Sequence, residues 1–220
     1  MLDKLSEHPL RKELIHHPFL KEVRTGMPVS KEAVATLLGQ WWYPLDYFPT
    51  FLSRSISVLP DRDMQTALSK ILYQELGEGR PDNSHGKLFI TTMADAGFDE
   101  ATTTQAPAFE ETRKLVELYE ETSYNPLRAL GAVYGTEVAD LAMVSGVGQM
   151  VRAVSGVKEL PWVDIHVQQE PEHVEQASEA LEPNFTADEE AQIVRAAEDM
   201  WRGWISFFDR IRAEARAEVP

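Results

Sequence analysis

The stretch DIHVQQEPEHVEQ, residues 164–176, sets His166, Glu170 and His173 at i, i+4 and i+7. At about 100° per residue these three fall within roughly 60° of arc on one helix face. Two imidazoles and a carboxylate together suit a divalent iron, manganese or zinc, and disfavour calcium, which takes oxygen ligands. Pro171 directly follows Glu170. It cannot donate an N–H to Val167 and its ring crowds that carbonyl, so a kink that turns Glu170 relative to the histidines is expected. Taken alone, the same stretch also suits a surface helix with two incidental histidines.

Two other places hold residues of the same kinds. Between Arg128 and Arg152 the only acids are Glu137 and Asp140, in ALGAVYGTEVADLAMVSGVGQM. Leu130, Tyr134, Glu137 and Leu141 share a helix face, so Glu137 lies on an apolar stripe. A carboxylate there is costly unless it is protonated, paired with a core partner or bound to a cation. In YQELGEGRPDNSH, Glu75 ends one helix and His85 begins the next, with Glu78 as a competing carboxylate. A polar loop with a histidine cap is the plainer reading of that segment.

Together the three segments supply three carboxylates and three imidazoles, the inventory of a carboxylate-bridged two-metal centre in a helix bundle. The ferritin-like version repeats Glu-x-x-His on two helices. Glu13–His16 and Glu170–His173 have that spacing, but Glu13 sits in the charged stretch LRKELIHHP, with no earlier helix to supply a lone glutamate. The positions three before His85 and His166 hold Asp82 and Val163. A different helical family is indicated.

Helices must position these residues, and nearly the whole chain reads helical. Leu5 to about Val23 reads as a first helix or helix pair. Ser30 caps a second helix, which Pro44 and Pro49 are expected to bend or break. Asp61 or Asp63 caps a third, ending near Gly77–Gly79, and a fourth runs from about Ser84 to Ala96. Pro107 opens a fifth, to about Thr122. Asn125 or Pro126 opens a sixth, through Val154, and Pro161 a seventh, to about Ala180. Thr186 and Glu189 form a capping box for the last, to about Ala217. Its MWRGWISFFDRI stretch carries an aromatic stripe suited to a core, with a dimer surface as the alternative. No segment shows the two-residue alternation of a strand. The expected fold is all-α: residues 1–220 as one domain of about seven to eight helices.

Composition narrows the function classes. The net charge of −15, from 36 acidic and 21 basic residues, argues against a nucleic-acid partner, which needs clustered Lys and Arg. No run approaches the roughly 20 apolar residues of a membrane span. The opening MLDKLSEHPLRKEL is too charged for a secretory signal, so a cytoplasmic location is expected. With no cysteine, thiolate metal sites and cysteine nucleophiles are excluded.

In these motifs the sequence resembles the haem-oxygenase-like diiron oxidases, a branch of the iron-containing redox enzymes. The resemblance runs from His17-Pro18-Phe19 to the aromatic last helix. The family's Glu-Leu-Gly-Glu-Gly loop motif, followed by Ser-His and a Leu-Phe pair, matches Glu75 through Phe89. Its lone inward glutamate on a Gly/Ala-rich helix matches Glu137. Its closing His-x-x-x-Asp-x-x-His matches His166, Glu170 and His173, with Glu170 in place of the aspartate. The resemblance implies a haem-oxygenase-like bundle in which Glu75, His85, Glu137, His166, Glu170 and His173 are metal ligands. It implies two Fe(II) ions, with manganese able to replace one, and O2 as co-substrate. The implied substrate is a small amino acid, amine, carboxylic acid or fatty acid, and a homodimer is compatible.

Some family members add a carboxylate on the second helix, where Asp46 is the only acid between Glu32 and Asp61. Trp41, Trp42, Tyr43, Tyr47 and Phe48 are candidates to line the pocket, against a default role in core packing. The same fold hosts thiaminase II, whose cysteine nucleophile has no counterpart here, and a cofactorless quinone-cofactor synthase. It also hosts haem oxygenases, for whose axial histidine His16 or His17 would have to serve. The alternatives are a non-catalytic helical ligand- or partner-binding module, and a metal-free enzyme of this fold that uses the histidines as acids and bases.

Overall fold

Two His-Pro steps divide the first 24 residues into three short helices, α1 (Leu2–Ser6), α2 (Pro9–Ile15) and α3 (Pro18–Arg24). Three short helices thus stand where one helix or a helix pair is expected from Leu5 to about Val23. The residue before a proline is driven to extended backbone. His8 and His17 take that conformation, and each accepts through Nδ1 the N–H two residues on, Leu10 at 3.3 Å and Phe19 at 3.2 Å. The histidines thus cap the helices that their prolines begin.

The computed structural model describes residues 1–217, in which no strand occurs. Ser30 caps α4 (Lys31–Val58), accepting Ala33 N–H at 2.9 Å. The helix continues through Pro44 and Pro49 without a break. Tertiary bonds hold it: the buried Gln40 side chain donates to Pro107 O at 3.0 Å and accepts from Phe109 N and Thr112 Oγ1, each at 2.8 Å. Asp61 caps α5 (Arg62–Glu75), and α6 (His85–Asp95) follows. A short α7 (Glu100–Thr104), capped by Asp99, occupies the segment between the fourth and fifth expected helices. The next helix, α8 (Glu110–Thr122), begins three residues beyond Pro107. Then come α9 (Pro126–Ser155), α10 (Pro161–Glu179) and α11 (Ala187–Ala217). The Thr186–Glu189 capping box is formed, with Glu189 Oε2 accepting Thr186 N–H at 2.8 Å.

The seven helices of eleven or more residues make the bundle, and α9 lies at its centre, packed most extensively on α11 and α10. Its glycines permit this. A Cβ on Gly131 would stand 2.2 Å from Ile193 O of α11, so any side chain there forces the helices apart. The aromatic stripe of α11 is core: Trp201, Trp204, Phe207 and Phe208 are buried, and Trp201 Nε1 donates to Gly135 O at 2.8 Å. Burying a Phe contributes about 1.5–3 kcal/mol, so these rings anchor α11 to α9. Among the described residues no helix is long and apolar enough to cross a membrane.

Candidate metal centre

Four helices bring the six sequence-derived candidates together. Glu75 is the last residue of α5 and His85 the first of α6. A Schellman motif ends α5: Gly77 N–H bonds Gln74 O and Glu78 N–H bonds Tyr73 O, both at 2.9 Å. Gly77 has φ +85°, and a Cβ on it would lie 2.3 Å from Arg80 O, so only glycine turns the chain tightly enough to return His85 to Glu75. Glu137 comes from α9. His166, Glu170 and His173 come from α10, which runs through Pro171 without a break. All six are buried, none more than 5% exposed.

Their donor atoms form two adjacent groups, Glu75–His85–His166 and Glu137–Glu170–His173, each with one atom per residue lying within 4.8 Å of the others. The rings of His85 and His166 are 4.5 Å apart and those of His85 and His173 6.5 Å.

In the first group the surroundings set the tautomers. His166 Nδ1 is 2.7 Å from Trp162 O. A carbonyl only accepts, so Nδ1 carries the proton and Nε2 is left as a lone-pair donor. His85 Nε2 donates to Gln169 Oε1 at 3.0 Å. That leaves its Nδ1 facing Glu75 Oε2 at 2.9 Å, out of hydrogen-bond alignment. Burial pushes the Glu75 carboxyl up, but His85, His166 and His173 outweigh it and hold Glu75 down to about 2. Burial, then neighbouring His85, push His166 down to about 3. Burial lowers His85, yet the Glu75 carboxylate leaves it raised.

The second group is richer in acid. His173 Nδ1 lies 3.3 Å from Glu137 Oε2 and 3.6 Å from Glu170 Oε1. Glu137 Oε1, Glu170 Oε2 and both His173 nitrogens are buried without hydrogen-bond partners. Burial raises Glu137 to about 7 against the pull of His173. His173 is raised to about 11, because Glu137 and Glu170 outweigh a burial that favours the neutral ring. Asp140, one turn on from Glu137, adds another buried and unpartnered atom, Oδ2. Burial, then Glu170, push its carboxyl well up.

Orphaned buried polar atoms are rare and costly, and here five of them belong to the six convergent residues. Two donors at about 2.1 Å from one ion stand no more than about 4.2 Å apart. The donor atoms of each group therefore draw inward to share an ion. Three imidazoles and three carboxylates form the mixed N/O set that suits iron or manganese.

A cavity of about 40 Å³ adjoins both groups, walled by Trp41, Phe48, Trp162 and Trp204. Behind it Trp204 Nε1 donates to Tyr119 Oη at 3.1 Å, and Tyr119 Oη lies 2.8 Å from Thr136 Oγ1. Of the five aromatics named from sequence, Trp41 and Phe48 line this cavity. Trp42 stacks on Phe89, Tyr43 donates to Ala106 O and Tyr47 accepts from Arg54. Asp46 is exposed, apart from both groups. Glu78 is exposed and accepts a 3.5 Å bond from Gln169 rather than joining the donors.

Gln169 and Asp140 were not selected from sequence. The available signal was spacing: Gln169 shares the face of His166 and His173, and Asp140 stands at i+3 from Glu137. His17 does not suit an axial role, since Nδ1 accepts Phe19 N–H and Nε2 lies 3.2 Å from Asp209 Oδ1.

Helical bundle, buried histidine–carboxylate pairs of clusters and apolar cavity define a haem-oxygenase-like protein able to hold metal ions. Residues 35–205 match the iron-containing redox enzyme family, and the chain belongs to it. Three solved structures share the fold. One is a CADD-like protein of unknown function from Nostoc punctiforme, 14% identical with TM-score 0.80 over 97% of this chain and 94% of that one. Another is a TenA homologue from Pseudomonas syringae pv. tomato, 17% identical with TM-score 0.78 over 96% and 92%. A third is a domain of unknown function with a haem-oxygenase-like fold from Shewanella denitrificans, 16% identical with TM-score 0.78 over 98% and 94%. No protein with a curated description matches the sequence.

Proposed function

We propose that the chain is a non-haem diiron oxidase or oxygenase that activates O2 against a small-molecule substrate. Glu75, His85 and His166 hold one ion in this reading, and Glu137, Glu170 and His173 the other. The supporting observation is the convergence of six buried donors, from four helices, with atoms that no protein group satisfies. Bound ferrous ions supply the electrons that reduce O2. The protein's share is geometry and dryness. Trp162 O and Gln169 present the correct nitrogens of His166 and His85. The tryptophan-walled cavity excludes bulk water, which strengthens every charge interaction inside it. The absence of cysteine leaves no thiol nucleophile for a thiaminase-type reaction.

The test is iron-dependent O2 consumption after anaerobic ferrous reconstitution. The wild-type chain is expected to consume O2. His166→Ala is expected to lower the rate by more than the about 10–100-fold that loss of an outer partner of a metal ligand costs, with helicity largely retained. Unchanged uptake in the variant defeats the assignment. Near-zero iron in the reconstituted wild type leaves a helical ligand-binding module instead.

A further inference from the structure

Among the described residues, one residue other than glycine has a positive φ: Glu78, at +54°. It stands in the loop that returns His85 to Glu75, between Gly77 at +85° and Gly79 at +79°. Glycine enters this left-handed region freely, whereas a residue with a Cβ is strained there. The position also follows closely on the end of α5, where unpaired carbonyls carry partial negative charge that disfavours an acid. Backbone and charge thus both oppose a glutamate here, and glycine or asparagine meets the backbone's demand better. Strain of this kind clusters where a side chain has work to do.

The exposed Glu78 side chain reaches inward. Its Oε1 accepts from Gln169 Nε2 at 3.5 Å. Lys70, the cation of the surface hollow that Glu78 helps to line, is taken up by Glu179 at 3.3 Å. Gln169 is buried, and its Oε1 accepts from His85 Nε2 at 3.0 Å. His85 Nδ1 in turn faces Glu75 Oε2 at 2.9 Å. A line of side chains therefore runs from solvent into the first cluster: Glu78, Gln169, His85, Glu75.

A glutamine amide has nearly the same shape either way round. Its ends differ in what they offer, since Nε2 donates and Oε1 accepts, whereas a carboxylate only accepts. With Nε2 toward Glu78, Oε1 faces His85 and takes the Nε2 proton, and Nδ1 keeps the lone pair that an ion needs. Reversed, the amide would set its oxygen against the Glu78 carboxylate and its N–H groups against His85 Nε2. The ring proton would then belong on Nδ1, where a small turn lets Glu75 accept it. Nδ1 and Glu75 would be closed to an ion by their own hydrogen bond. At 3.5 Å the bond to Glu78 is long, so its leverage comes from charge, which attracts the N–H groups and repels the amide oxygen.

We propose that Glu78 is a positioning residue: it orients the Gln169 amide and through it holds His85 in the tautomer that presents Nδ1. The purpose of that tautomer rests on the reading in which Glu75, His85 and His166 hold an ion, whereas the tautomer itself does not.

Three variants of the full-length chain test this. Glu78→Gly and Glu78→Asn suit the backbone and remove the carboxylate. Glu78→Gln keeps the length but can accept or donate. Histidine 15N NMR of the metal-free chain, with the pH raised until the His85 ring is neutral, reads the tautomer. The wild type is expected to carry the proton on Nε2, Glu78→Gly and Glu78→Asn to shift it to Nδ1, and Glu78→Gln to fall between. Calorimetric affinity for the first Mn(II) is expected to fall about tenfold in the Gly and Asn variants, the lower end of what an outer partner contributes. Their melting temperatures should hold or rise as the strain is relieved, so affinity and stability part company. A residue serving only the loop would lose both together and leave the tautomer alone. His85 protonated on Nδ1 in the wild type, or unmoved in both Glu78→Gly and Glu78→Asn, overturns the proposal. So does a shifted tautomer with unchanged Mn(II) affinity. A shifted tautomer in a chain that binds no Mn(II) upholds Glu78's role and defeats the metal reading. Mn(II) bound alike by wild type and variants, with the tautomer unmoved, does the reverse.

Discussion

Glu75, His85 and His166 sit among partners that fix them, whereas Glu137, Glu170 and His173 face one another with most donor atoms unsatisfied. In the first cluster both imidazoles have their non-ligating nitrogen on an acceptor, Trp162 O or Gln169 Oε1. One carboxylate, held at about 2, balances them. The second cluster gathers Glu137, Glu170 and the adjacent Asp140 around one imidazole, and it borders an open groove. Near neutrality Glu137, at about 7, is partly protonated and His173, at about 11, is protonated. The contrast teaches that a preorganised cluster meets an ion at little cost, while a charge-rich one must lose protons and close around it. The first ion should therefore be the tighter.

Removing a supporting residue sharpens this contrast most. Gln169→Leu takes the acceptor from His85 Nε2 while leaving all six donors. Such outer partners are worth about 10–100-fold in metal affinity, so the tighter site should weaken by that much and the looser one stay as it was. Gln169→Glu, which keeps an acceptor, should recover most of the loss. A variant that weakens both sites equally breaks the distinction.

Proton release is the next largest effect. Metal binding displaces protons from its donors. At neutral pH His166, at about 3, and Glu75, at about 2, have none to lose, so His85 is the first cluster's only source. In the second cluster His173, at about 11, is protonated and Glu137, at about 7, partly so. Lowering the pH from about 8 to about 6 protonates Glu137 further. Affinity should therefore fall more steeply for the second equivalent of Mn(II) than for the first, with more protons released to an indicator dye in that step. Equal proton release in both steps contradicts this.

The smallest effect belongs to Asp46→Asn. This exposed position lies outside both clusters, so metal content should be unchanged and stability should shift by no more than about 0.5 kcal/mol, measured by urea unfolding.

The pattern of what could be read from sequence follows the same physics. Helical spacing put His166, Glu170 and His173 on one face, and an acid on an apolar stripe marked Glu137, because both signals are local. Glu75 and His85 were reachable through the Gly-rich loop and the family motif. Spacing placed Gln169 and Asp140 beside the ligand faces, but their roles come from contacts with α6 and with α10, which a face alone does not specify. The helix ends followed caps closely at Ser30, Asp61 and Thr186. They went astray where proline cut both ways: the His-Pro steps split the first helix into three, while Pro44 and Pro49, braced by the Gln40 bonds to the α8 start, left α4 whole.

Anaerobic titration of the wild-type chain with ferrous ion, followed by desalting and iron analysis, tests the central claim most directly. Two irons per chain, filling in two steps of unequal affinity, are expected from the paired clusters. One iron or none, at ferrous concentrations well above those that fill known diiron proteins, contradicts it.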